Sequence, residues 1–115
     1  LHTLAEAFTV VRFVREKGWG ELVIIAPAFH LLRCFLSAVT AARHEFPALR
    51  VYAEVGVMQD WHEHAVHSQK TTHGLRKDLI IGEIRRVLKY QEEGTPVPLC
   101  STKDALEYLE WRDKR

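Results

Sequence analysis

The stretch Glu21-Leu22-Val23-Ile24-Ile25-Ala26-Pro27 decides how this chain is read. Four successive apolar residues, rich in β-branching, run without the polar alternation of a half-exposed strand. That pattern predicts a strand covered on both faces, as in a parallel sheet. Immediately downstream, Leu31, Leu32, Phe35, Leu36, Val39 and Ala42 repeat at helical spacing and predict a helix that runs until Pro47. Upstream, Leu4, Ala7, Phe8, Val11 and Val14 define the apolar face of another helix. Thr3 with Glu6 three residues on has the form of a capping box at its start, and Gly18 offers a left-handed stop at its end. From Leu49 to Val55, apolar Leu49, Val51, Ala53 and Val55 alternate with Arg50, Tyr52 and Glu54, which predicts a second strand at or near a sheet edge. Helix, strand, helix, strand with short links is the grammar of an α/β domain with right-handed crossovers. Two strands are too few for an independent sheet, so the chain reads as the second half of an α/β domain, or as one that completes its sheet through a homodimer.

Beyond Val55 the pattern changes. Residues 56–73 show no period and contain His62, His64, His67, Ser68, Gln69, Thr71 and Thr72, which reads as a long polar loop. Leu75, Leu79, Ile80, Ile84, Val87 and Leu88 predict a third helix closing at Gly94. Residues 95–101, with Pro96 and Pro98, read as a linker. A last helix over 102–115, capped by Ser101 or Thr102, would carry Ala105, Leu106, Leu109 and Trp111, with Tyr108 and Trp111 as docking residues. Residues 1–94 then form the α/β unit.

Composition narrows the function classes. The chain has 115 residues, 47% hydrophobic and 27% charged, the balance of a globular domain. Sixteen Lys and Arg against fifteen Asp and Glu leave a formal charge of +1, which argues against a nucleic-acid partner. The longest apolar run, Leu22 to Phe29, is far shorter than the roughly 20 residues of a membrane-spanning helix. Cys34 and Cys100 show no metal or disulfide spacing, so a reducing, cytoplasmic setting is expected. Leu1 is preceded by no Met and followed by no signal-like stretch, so the native start is expected upstream.

His30 and Arg33 are the leading site candidates. They follow the strand directly, at the start of the next helix, where open α/β sheets bind ligands. A helix N-terminus favours an anion, and an arginine fork can hold a carboxylate or phosphate through two bonds. The alternative is that His30 caps backbone groups and Arg33 pairs with a surface glutamate. Thr3 and Glu6 are explained by capping alone, or they orient a ligand at the same pocket. His62, His64 and His67 could supply three nitrogens to a zinc ion, as in a metal-dependent hydrolase, but no HExxH spacing accompanies them. A solvated or dimer-contact loop is the favoured reading of these histidines, with metal binding the alternative. His67-Ser68 has no third member of a triad. Gly18-Trp19-Gly20 follows a helix and precedes a strand, the reverse of a phosphate loop. Arg76 and Lys77 read as a solvated helix start.

The segments His2-Thr3-Leu4-Ala5-Glu6-Ala7, Glu16-Lys17-Gly18-Trp19 and Ile25-Ala26-Pro27-Ala28-Phe29-His30-Leu31-Leu32-Arg33-Cys34-Phe35 together resemble the YdcF-like family of bacterial domains of unknown function. Its members carry an Asn-Thr-x-Glu helix start, a glycine-aromatic break and a strand ending in Thr-Ser-x-x-His-x-x-Arg. The resemblance covers roughly the first 55 residues and, loosely, the third helix. Here His2 stands for the usual Asn, and Ala26-Pro27 for Thr-Ser. The resemblance implies a Rossmann-like three-layer fold with a mostly parallel sheet, of which this chain lacks the N-terminal strands. It also implies a ligand at the strand carboxyl ends, near His30, Arg33, Thr3 and Glu6. With the helix end and Arg33, the expected ligand is a small anionic molecule, nucleotide-like or phosphate-bearing, and the resemblance adds a nucleotide-like cofactor such as S-adenosylmethionine or another nucleotide. A link to cell-envelope metabolism is implied as well.

Overall fold

A computed structural model describes residues 3–56, 64–66, 73–93 and 97–114. Its elements follow in the order α1 (Thr3–Lys17), β1 (Glu21–Ala26), α2 (Ala28–Glu45), β2 (Arg50–Val55), β3 (His64–Val66), β4 (His73–Leu75), α3 (Arg76–Glu93) and α4 (Thr102–Asp113). β1 and β2 pair in parallel, from Glu21 opposite Arg50 to Ala26 opposite Val55, with α2 as the crossover. The parallel α/β reading is therefore correct.

The apolar periodicity of α1 is realised in full, since Leu4, Phe8, Val11 and Val14 are all buried. They meet Leu36, Ala38, Val39, Ala41 and Ala42 of α2, whose alanines let the two helices approach closely. Gly18 takes φ +72, its N–H bonds to Arg15 O at 3.1 Å, and the next amide, Trp19, bonds back to Val14 O at 3.2 Å. This pair of bonds satisfies the last carbonyls of α1 and turns the chain into β1. Outside the core, Glu45 joins the two helices by accepting from Arg12 at 2.7 Å and Arg15 at 3.4 Å.

One expectation for β1 fails. Leu22 and Ile24 pack against the core, but Val23 is 51% and Ile25 65% exposed. Both α1 and α2 meet the Leu22 and Ile24 side, lining a narrow groove with those two residues. Among the described residues nothing comparable covers the opposite face. The continuous apolar run thus reports a strand suited to burial on two sides, of which one is covered here. β2 pairs with β1 alone among the described residues, in keeping with an edge strand.

The polar stretch after β2 is not loop throughout. β3 and β4 pair antiparallel, with His64 opposite Leu75, Ala65 opposite Gly74 and Val66 opposite His73. The third helix also turns a different face inward than its apolar spacing suggested. Ile84 and Leu88 are exposed, whereas Glu83 and Val87 are buried and Tyr90 packs on the core. These three positions, four and then three residues apart, share one face.

The region read as a linker is partly docked. Leu99 and Cys100 are buried, Leu99 N–H donates to Tyr90 O at 2.7 Å, and Cys100 N–H donates to Thr40 Oγ1 at 2.9 Å. Ser101 then caps α4 in a reciprocal bond with Asp104. Ala105 and Tyr108 are the buried residues of α4, while Leu106 and Trp111 remain exposed. Tyr108 OH donates to Leu49 O at 2.6 Å and accepts from Val51 N–H at 2.7 Å, which ties α4 to the edge of β2. Among the described residues no helix is long and apolar enough to cross a membrane.

Candidate functional site

β1 ends at Ala26 and α2 begins at Ala28, so the first turn of α2 stands at the carboxyl edge of the sheet. Pro27 occupies the cap position and supplies no side-chain bond to the helix, and no acidic residue lies in that turn. Pro27 O accepts from the His30 and Leu31 N–H groups at 3.0 Å each, and no side chain of the first turn itself offsets the electropositive helix end. His30 and Arg33, three residues apart, project from one side of α2.

Both reach Glu83 of α3. Arg33 Nε donates to Glu83 Oε2 at 2.7 Å and Nη2 to Oε1 at 3.1 Å, a two-bond fork between side chains of residues only 2% and 4% exposed. His30 Nδ1 lies 3.2 Å from Glu83 Oε2, and Arg86 Nη1 donates to Oε1 at 3.3 Å. An ionised carboxylate only accepts, so a neutral His30 ring carries its proton on Nδ1. The 3.3 Å approach of Arg33 Nη2 to that same atom is then a close packing contact. Burial by itself would raise the Glu83 carboxyl. The hydrogen bonds from His30 and Arg33, with the Arg33 charge, outweigh it and hold Glu83 at about 2.

His30 and Arg33 are thus brought together, with Arg33 in the second of the two roles weighed for it, paired with a glutamate, although that glutamate is buried rather than on the surface. Thr3 and Glu6 sit elsewhere. With Ala7, Val10, Leu22, Ile24, Cys34 and Ala38 they line a groove of about 150 Å³ between α1 and the sheet. Thr3 is itself the first residue of α1. Cys34 stands between the two groups. Burial pushes its thiol up to about 11, Arg33 opposes that rise, and Glu83 and Glu6 add to it.

Glu83 and Arg86 were missed in the sequence. The signal available was an acid placed among Leu79, Ile80, Ile81 and Ile84 on a helix face continued by Val87. His62 and His67 lie outside the described residues, and His64 is described only as backbone in β3. Among the described residues no three His, Cys, Asp or Glu side chains are grouped to hold a metal ion. A larger cleft of about 460 Å³ opens at the other end of α2, lined by Thr40, Arg43, His44, Gln91, Leu99 and Asp104 among others. Its charges are internally matched, with Arg43 3.3 Å from Asp104, so size alone does not make it the better site.

The His30 to Glu83 arrangement can orient an imidazole, fix its tautomer and hold positive charge beside a helix N-terminus. Compared with protein-family models, curated proteins and solved structures, the chain has no significant match among any of the three.

Proposed function

We propose that this chain is a binding module for a small anionic ligand, nucleotide-like or phosphate-bearing, at the carboxyl edge of β1. One observation carries the reading: the first turn of α2, without a side-chain cap or an acidic residue, lies beside the buried pair of Arg33 with Glu83 and the partly exposed His30 and Arg86 that bond to it. The ligand's negative charge would meet the α2 amides, and His30 would present its Nε2 side because Nδ1 is engaged by Glu83. Arg33 then acts as a positioning residue whose fork is used on Glu83, rather than as the anion clamp. Thr3 and Glu6 would border the same end of the fold from α1, acting on the site only through their neighbour Cys34. The YdcF-like assignment, with its Rossmann-like fold, bacterial origin and envelope-related role, belongs to this same proposal and rests on the His2 to Phe35 motifs. So does a cytoplasmic location. No reaction is assigned to the site.

Native mass spectrometry of the purified chain tests the reading. A retained adduct of nucleotide or phosphate mass, lost on His30→Ala, supports it. A bare chain that also fails to take up added AMP or phosphate contradicts it.

A second reading is an assembly module. Its observation is the exposure of Val23 and Ile25, apolar residues of a strand whose pattern suits burial. A concentration-dependent dimer that dissociates on Val23→Lys, with no response to small anions, would favour it.

A further inference from the structure

The geometry points to α4 as a guard on the outer edge of β2, holding by side-chain hydrogen bonds the place that a further strand would otherwise take. Arg50 N–H bonds to Gly20 O and Gly56 N–H to Ala26 O, so the even-numbered residues of β2 face β1. The odd-numbered residues therefore turn their backbone groups outward. Three of those outward groups are engaged by α4. Tyr108 OH bridges Leu49 O at 2.6 Å and Val51 N–H at 2.7 Å, and Arg112 Nη1 donates to Val51 O at 2.9 Å. The Arg112 guanidinium also stacks on Tyr52, 4.6 Å from the ring centroid, and Arg50 Nε reaches back to Arg112 O at 3.4 Å.

This is how a strand partner would bond, carried out by two side chains. The rest of α4 is lightly held, because its buried residues are Ala105 and Tyr108 while Leu106 and Trp111 are exposed. An unguarded edge of this kind pairs with other strands. The partner it excludes is the β2 strand of a second copy. In antiparallel pairing centred on Tyr52, Val51 meets Ala53 of the second copy, and both turn their bonding groups toward each other. Arg50 then meets Glu54 of the second copy, and symmetry repeats that opposite-charge pair. Release of α4 from Tyr108 and Arg112 thus converts a closed edge into a self-complementary one.

The test uses the full chain carrying Tyr108→Phe and Arg112→Gln, compared with the parent by sedimentation across a concentration series. The double variant is expected to gain an association step that the parent lacks, and Glu54→Arg added to it should abolish that step by setting like charges opposite. Association unchanged from the parent, or a new association indifferent to Glu54→Arg, overturns the proposal. Tyr108→Phe alone gives a second readout that needs no assembly. Val51 amide exchange should rise at least tenfold while the Tyr52 amide on the β1 side keeps its protection. Equal acceleration of both amides would show that α4 merely stabilises the whole domain, and the guard role would fall.

Discussion

Replacing Glu83 by Gln should unsettle the fold more than any surface change, and by an amount that can be reached in two ways. The substitution keeps the size and one acceptor but puts an NH₂ group where Arg33 or His30 now donates. It also leaves the Arg33 guanidinium, only 2% exposed, without its counter-charge. Breaking a buried ion pair from one side costs about 3–5 kcal/mol. Independently, Glu83 is lowered from 4.5 to about 2. At about 1.4 kcal/mol for each unit, that depression corresponds to about 3 kcal/mol of stability. The sign follows from the direction of the shift. A carboxylate depressed in the folded chain contributes above its unfolded value of 4.5, and the contribution is lost as pH falls toward about 2. Urea denaturation followed at neutral and acid pH measures both quantities. At neutral pH the Glu83→Gln midpoint should fall by about 1–5 M, given a loss of about 3–5 kcal/mol and a slope of about 1–3 kcal/mol per M. The parent should lose stability on acidification through this window, and Glu83→Gln should lack that component. A neutral-pH loss below about 1 kcal/mol, the scale of an exposed pair, would refute the buried-network reasoning. Arg33→Met with Glu83→Leu should recover most of the loss, since well-packed apolar replacements of a buried pair are often neutral.

Other expectations are local. Gly18→Ala places a side chain at φ +72 with nothing within 4 Å of it, so only backbone strain acts, and a loss of about 1 kcal/mol in thermal or urea unfolding is expected. A gain in stability would contradict the turn geometry. Cys34, pushed up to about 11 from 9.0, should have about a hundredfold less thiolate at neutral pH than an unperturbed thiol. Iodoacetamide should therefore alkylate it slowly in the folded chain and at ordinary rates in urea. His30→Ala should weaken phosphate or AMP binding at least tenfold while leaving the unfolding midpoint closer to the parent than Glu83→Gln does, because the Arg33 to Glu83 fork remains.

The legible parts of this fold are those specified by neighbouring residues. Leu4, Phe8, Val11 and Val14 mark the buried face of α1 by spacing alone, Gly18 marks its end, and Ser101 with Asp104 marks the start of α4. His30 and Arg33 could be placed at the strand's carboxyl edge for the same reason. What escaped depends on partners far along the chain. An acid on α3 turns inward because Arg33, fifty residues earlier, is buried and needs its charge. Periodicity counts Ile84 and Leu88 as the core side, yet they lie outside once Glu83 faces α2. Tyr108 likewise reads from the sequence only as a docking aromatic, paired with Trp111. Its role depends on unpaired backbone groups at Leu49 and Val51, which become visible only when β2 has a fixed register. The run Leu22 to Ile25 encodes the strand correctly and suits burial on both sides, but one side is exposed here.

Binding of an anion at the first turn of α2 can be followed through amide chemical shifts by NMR during titration with inorganic phosphate, and then with AMP. Saturable shifts centred on Ala28, Phe29 and His30 and reaching Arg33 and Glu83 are expected, all reduced by His30→Ala. Shifts confined to the cleft around Arg43, His44 and Asp104, or none at all, would contradict binding at that turn.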